Sequence, residues 1–197
     1  MHVEDVFKCA VEKISSYHIL NYFLPGIIFC WLIDTTTRLS VSTGEIWKDI
    51  FIYYFLGMTI SRIGSICIKA MLQLIKISNK NTQKKEPFLN FAPYTDYIAA
   101  SKNDDFIKTL NEVNNTYRTF LSVFVVATGA KIYDSFFYDK VQEFGDIGND
   151  LSLLIVFLLM IILFAYSYRK QTNFIRKRIE KALSNREKTF NDGGEIE

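Results

Sequence analysis

Leu151–Tyr168 reads LSLLIVFLLMIILFAYSY, eighteen residues without a charge. As a helix at about 1.5 Å per residue it extends roughly 27 Å, close to the hydrocarbon thickness of a bilayer. It is apolar on every side and not along one stripe, which suits a helix surrounded by lipid. A soluble bundle rarely needs so apolar a run, and a β-barrel is built from short alternating segments that this run does not resemble.

Working outward, the rest of the 197-residue chain withdraws its 44 charged side chains from further stretches of similar length. Residues 14–33 form a second uncharged run of 20. Residues 50–68 carry one charge, Arg62, and residues 119–137 carry two, Lys131 and Asp134. The fold class expected is an all-α membrane protein: a four-transmembrane-helix bundle with spans at 14–33, 50–68, 119–137 and 151–168. A helical cytoplasmic extension occupies 69–118, and 169–197 is a basic tail.

Basic residues set the orientation, because Lys- and Arg-rich loops are retained in the cytoplasm. Eighteen of the 23 lie in 1–13, 69–118 and 169–197, while Arg38, Lys48, Lys131 and Lys140 belong to the other side. Both termini are therefore expected inside a bacterial inner membrane. Trp31 and Trp47 fall at the outer ends of spans one and two, where amphipathic rings favour the interface. The acids Glu4, Asp5 and Glu12 and the length of the first run argue against a cleaved signal.

Span two places Gly57, Ser61 and Ser65 four residues apart with Gly64 beside them, a face of small side chains suited to close helix contact. In span one, Leu24-Pro25-Gly26 follows Asn21, and the missing proline donor predicts a kink. Arg62, Lys131 and Asp134 are the intramembrane polar candidates, since a charge in a span either snorkels, pairs or lines a polar path.

The 69–118 segment reads as three pieces. Lys69–Ile77 continues the second helix, Ser78–Glu86 is a polar break, and Pro87–Pro93 is an extended aromatic stretch. A helix then starts at the cap Asn103, with Asp104 and Asp105 in its first turn. Its apolar stripe, Phe106, Leu110, Val113, Tyr117 and Phe120, is expected to pack on the second helix's extension or to meet a partner. Phe88, Phe91, Tyr94, Phe106, Leu110 and Val113 are the partner-binding candidates. In the tail, Arg169, Lys170, Arg176, Lys177 and Arg178 are candidates for contact with anionic lipid headgroups.

No enzyme motif is present: there is no phosphate-binding glycine loop, no His-Glu-x-x-His and no carboxylate pair inside a span. With only His2 and His18, a histidine-based metal site is not expected, and His18 reads as a helix-packing residue. Three cysteines, Cys9, Cys30 and Cys67, imply no disulfide framework. No catalytic residue, metal or cofactor is assigned.

Asn21-Tyr22-Phe23-Leu24-Pro25-Gly26, the Tyr117-Arg118-Thr119 entry to span three and the four-span plan resemble small membrane proteins of bacterial antiviral loci. Over nearly its whole length the chain is similar to the membrane subunits of the Kiwa defence system. The resemblance implies an inner-membrane homo-oligomer that senses phage attack and works with a cytoplasmic DNA-binding partner; direct nucleic-acid binding by this chain is not expected. It carries over no functional residue. The reading is a non-catalytic membrane anchor or sensor; the alternative is a pore-forming or ion-conducting effector, resting on Arg62, Lys131 and Asp134.

Overall fold

The computed structural model describes residues 16–78, 85–138 and 147–193. The first two residues of span one, the 79–84 part of the polar break, Cys9, His2 and Lys140 lie outside them.

Helix α1 comprises Ser16–His18, a π-helical turn Ile19–Phe23 and Leu24–Thr36. Where a kink is expected at Pro25, the helix has this wider turn just before it. Pro25 has no N–H to give, and just before it the Leu24 N–H donates to the Ile19 carbonyl, five residues back. Helix α2 comprises Ile46–Ile63, a second π turn Gly64–Ile68 and Lys69–Leu74. Strands β1 (Lys76–Ser78) and β2 (Lys85–Pro87) then pair antiparallel, Ile77 opposite Glu86. Helix α3 (Tyr94–Ser101) precedes α4 (Phe106–Tyr138) and α5 (Ile147–Gly193).

Three of these helices are long and apolar enough to cross a membrane: Ile19–Thr36, Ile46–Leu74 and Leu151–Asn185. Helix α4 carries Arg118, Lys131 and Asp134 and does not reach that apolarity. It nevertheless occupies the centre, in contact with α1, α2 and α5. Leu32 of α1, Ile60 of α2, Val123 and Ala127 of α4 and Phe157 of α5 join in one buried cluster. A helix shielded by three others needs less apolar surface of its own, and its polar side chains can turn inward.

Phe51, Phe55 and Ile66 of α2, with Leu151, Ile155, Leu158, Leu159, Ile162 and Leu163 of α5, point outward and exposed. So extensive an apolar surface is foreign to a protein dissolved in water and is the normal exterior of one dissolved in lipid. Beyond the bundle, α4 and α5 continue to one end, joined by α3 and the β-hairpin; the 37–45 loop closes the other.

Two expectations for 69–118 are corrected, and a helix appears where none was assigned. The α2 extension stops at Leu74 and turns into a strand, short of Ile77. The stretch after Pro93 is helical from Tyr94. The cap of α4 is Asp104 and not Asn103: the Asp104 carboxylate accepts the Phe106 N–H at 3.1 Å and its carbonyl the Ile107 N–H at 3.1 Å.

Candidate functional site

At the hairpin end, Ile175 and Ile179 of α5 meet Ala100, Ile107 and Leu110 in a buried cluster, with Tyr97, Ala182 and Leu183 packed against it. The stripe of α4 therefore faces α5 and not the extension of α2, because α2 gives way after Leu74 whereas α5 runs on for 47 residues in all, about 70 Å. Its buried line is also rotated from the expected one. Ile107, Leu110 and Asn114 point inward, while Phe106 and Val113 lie outside. Asn114 escaped the sequence reading because a polar residue was not counted in an apolar stripe. It belongs there: its amide and the Thr172 hydroxyl bond at 3.2 and 3.3 Å.

A second cluster buries Phe88, Leu89 and Tyr168, with Leu72, Ile77, Phe91 and Tyr117 around them. Phe88 stands edge-on to Tyr166 at 5.7 Å, and Phe91 to Tyr168 at 6.3 Å. Phe88 and Leu110 are thus consumed inside the chain and leave the set of partner candidates. Of the remainder, Tyr94 is 76% exposed, Phe106 and Val113 are exposed, and Phe91 is half-buried.

The basic residues after Tyr168 divide in two. Arg178 donates from Nε to Asp104 Oδ2 at 2.7 Å and lies 4.7 Å over the Phe106 ring. Arg169 lies 5.2 Å over Phe88. These two hold the hairpin end together, and the hydrogen bond from Arg178 keeps the Asp104 carboxyl below the usual carboxylate range against the opposing effect of burial. Lys170 and Lys177 are exposed, and Arg176 is half-buried beside Glu180 at 3.4 Å.

The small residues of α2 serve two different neighbours. Gly57 meets α1: a methyl group there would overlap the Tyr22 carbonyl, and one on Gly26 would overlap that of Tyr53. Ser61 and Gly64 meet α4: the Thr119 hydroxyl donates to Ser61 Oγ at 3.2 Å, and a methyl group on Gly64 would strike Ser122 Oγ. Ser65 is half-buried beside them. These contacts lie within one chain. His18 sits in an aromatic group with Tyr17, Tyr22 and Tyr54, its Nδ1 3.4 Å from the Tyr54 hydroxyl.

Of the three intramembrane polar candidates, Arg62 is exposed on the outer surface of α2, whereas Lys131 and Asp134 are buried. Asp134 Oδ1 accepts the Arg38 N–H at 3.3 Å, tying α4 to the 37–45 loop. That loop folds over two more carboxylates. Asp34 accepts the Val41 N–H at 2.6 Å and the Ser42 hydroxyl, and Asp49 accepts the Thr43 N–H and hydroxyl, each at 2.7 Å. The loop's turn uses Gly44 at φ +80°, a conformation favouring glycine. The acids at this end therefore serve to fold the loop.

Among the described residues no three His, Cys, Asp or Glu gather at metal-binding spacing. Comparison with protein-family models, curated proteins and solved structures returns no match to this chain.

Proposed function

We propose that the chain is a non-catalytic membrane anchor or sensor that crosses the bilayer four times, oligomerises and passes the state of its bundle to a soluble cytoplasmic partner. One observation carries the coupling. Helices α4 and α5 run unbroken from the cluster of Val123, Ala127 and Phe157 to the cluster of Ile107, Leu110, Ile175 and Ile179. A displacement of either helix in the bundle must be felt at the hairpin end. The fourth crossing is supported by the place of α4 among three membrane-length helices. The excess of Lys and Arg supports a cytoplasmic hairpin end, and the exposed Phe106 and Val113 support a docking surface there. An antiviral setting, with a DNA-binding partner, rests on the resemblance of 21–26 and 117–119.

The test is purification of the tagged protein, expressed with its neighbouring genes, in mild detergent, followed by mass determination of what co-elutes. A stoichiometric soluble partner is expected, lost in the double variant Phe106→Asp, Val113→Asp. Leu110 is left intact because a carboxylate there would unfold the cluster. A partner-free oligomer that leaks ions from liposomes, with leakage altered by Arg62→Ala, would replace this reading with the pore. Outward-facing Arg62 could line such a path only between copies.

A further inference from the structure

A cavity of about 330 Å³ opens at the hairpin end, walled by the end of α2, residues 91–92, α3, α4 and α5. Lys69 and Arg118 supply two positive charges from different helices, and none of the thirteen lining residues is acidic. Asn111, Asn114 and Asn115 bring side-chain amides from successive turns of α4. We propose that this cavity binds the phosphate group of an anionic ligand.

The state of Arg118 is the strongest indication. Its Nε is buried and has no hydrogen-bond partner, which is costly for a charged donor. Guanidinium forks match phosphate oxygens in geometry and charge, so a phosphate in the cavity that Arg118 lines meets a guanidinium whose hydrogen bonding the protein leaves incomplete. Lys69 is held toward the same space, its Nζ 4.7 Å over the Phe91 ring. The Asn114–Thr172 pair fixes the wall between α4 and α5. The volume is at the small end of ligand sites, room for a headgroup or a compact ester.

Lys69, Arg118 and Tyr168 each stand at the edge of an apolar stretch, at 68/69, 118/119 and 168/169. In a four-span arrangement that is headgroup level. The phosphate can therefore come from a phospholipid or from a soluble phosphate ester. Either would tie together five segments of the hairpin end. The proposal does not depend on a protein partner, since Phe106 and Val113 are not in the cavity wall.

Calorimetric titration of the full chain in dodecyl maltoside tests it with three probes: sn-glycerol 3-phosphate, dioctanoyl-phosphatidylglycerol and the zwitterionic dioctanoyl-phosphatidylcholine. One saturable site per chain is expected for at least one of the first two, weakened about tenfold or more by Lys69→Gln and by Arg118→Gln. Lys170→Gln, outside the cavity, leaves it unchanged. Binding of the lipid alone assigns the site to a headgroup; binding of glycerol 3-phosphate with the same variant sensitivity assigns it to a soluble ester. Lys69 is on the periphery, so Lys69→Gln carries the test even if Arg118→Gln fails to fold. Absence of saturable binding by both anionic probes, phosphatidylcholine binding as tightly as phosphatidylglycerol, or equal losses in Lys69→Gln and Lys170→Gln would overturn the proposal.

Discussion

Gly57→Leu should abolish the native bundle. At this crossing α1 and α2 touch backbone to backbone, so even a methyl group at Gly57 would overlap the Tyr22 carbonyl. Overpacking a well-filled interior costs about 1–3 kcal/mol when neighbouring side chains can yield. A backbone carbonyl in a helix cannot turn aside, so the helices must separate and lose the contact along their length. We expect a loss of more than about 3 kcal/mol, seen as failure to elute as a single species in mild detergent, with Gly57→Ala giving a measurable fall in unfolding temperature. Gly129 of α4 is the control, because a methyl group there meets nothing within 4 Å. Gly129→Ala should be neutral or stabilise by up to about 1 kcal/mol. Equal behaviour of the two alanine variants would mean that the crossing is looser than described.

Ile179→Asp should dissolve the hairpin end while sparing the bundle. Ile179 is 2% exposed among Ala100, Ile107, Leu110 and Ile175. Removing its side chain alone costs about 2–5 kcal/mol, and an unpaired carboxylate in its place adds to that. Hydrogen exchange gives the local readout. Amides of Tyr94–Ser101 and of the first turns of α4 should lose protection, whereas those of Leu24–Thr36 should keep it. Ile179→Val should cost only about 1 kcal/mol. Loss of protection throughout α1 would show that the two clusters unfold as one unit.

What the sequence made legible follows from how local each signal is. The run Leu151–Tyr168 needs no context, because hydrocarbon accepts little else at that length. Gly57 and Gly64 were readable as contact positions from their spacing alone. Which neighbour each one meets was not, since that depends on how α1 and α4 are placed around α2. The sequence shows that α4 has an apolar stripe but not its rotation about the helix. Phe106–Leu110–Val113 and Ile107–Leu110–Asn114 both fit a helical repeat, and only the continuation of α5 beside α4 selects the second. Helix α3 was hidden by Pro93 and the aromatics before it, which read as extended chain. The cavity was invisible for a different reason: Lys69, Arg118 and Tyr168 lie on three separate helices, and no local pattern signals their convergence.

The polar residues of the spans show the same dependence on context. Arg62, Lys131 and Asp134 form one class by sequence, charges inside apolar stretches. In the fold Arg62 points outward while Lys131 and Asp134 are buried near the loop end. That separation removes the three as a common lining within a single chain and leaves Asp134 with the structural task of holding the 37–45 loop.

The most direct test of the account is the side of the membrane on which Ser184 lies. In a variant with Cys9, Cys30 and Cys67 replaced by serine, single cysteines at Ser40, Lys102 and Ser184 are exposed to a membrane-impermeant maleimide in intact spheroplasts and after lysis. Four crossings predict that Ser40→Cys reacts in intact spheroplasts, and that Lys102→Cys and Ser184→Cys react only after lysis. If Ser184→Cys is labelled in intact spheroplasts while Lys102→Cys is not, α4 does not cross, the chain spans the membrane three times, and the coupling proposed between the bundle and a cytoplasmic hairpin end is contradicted.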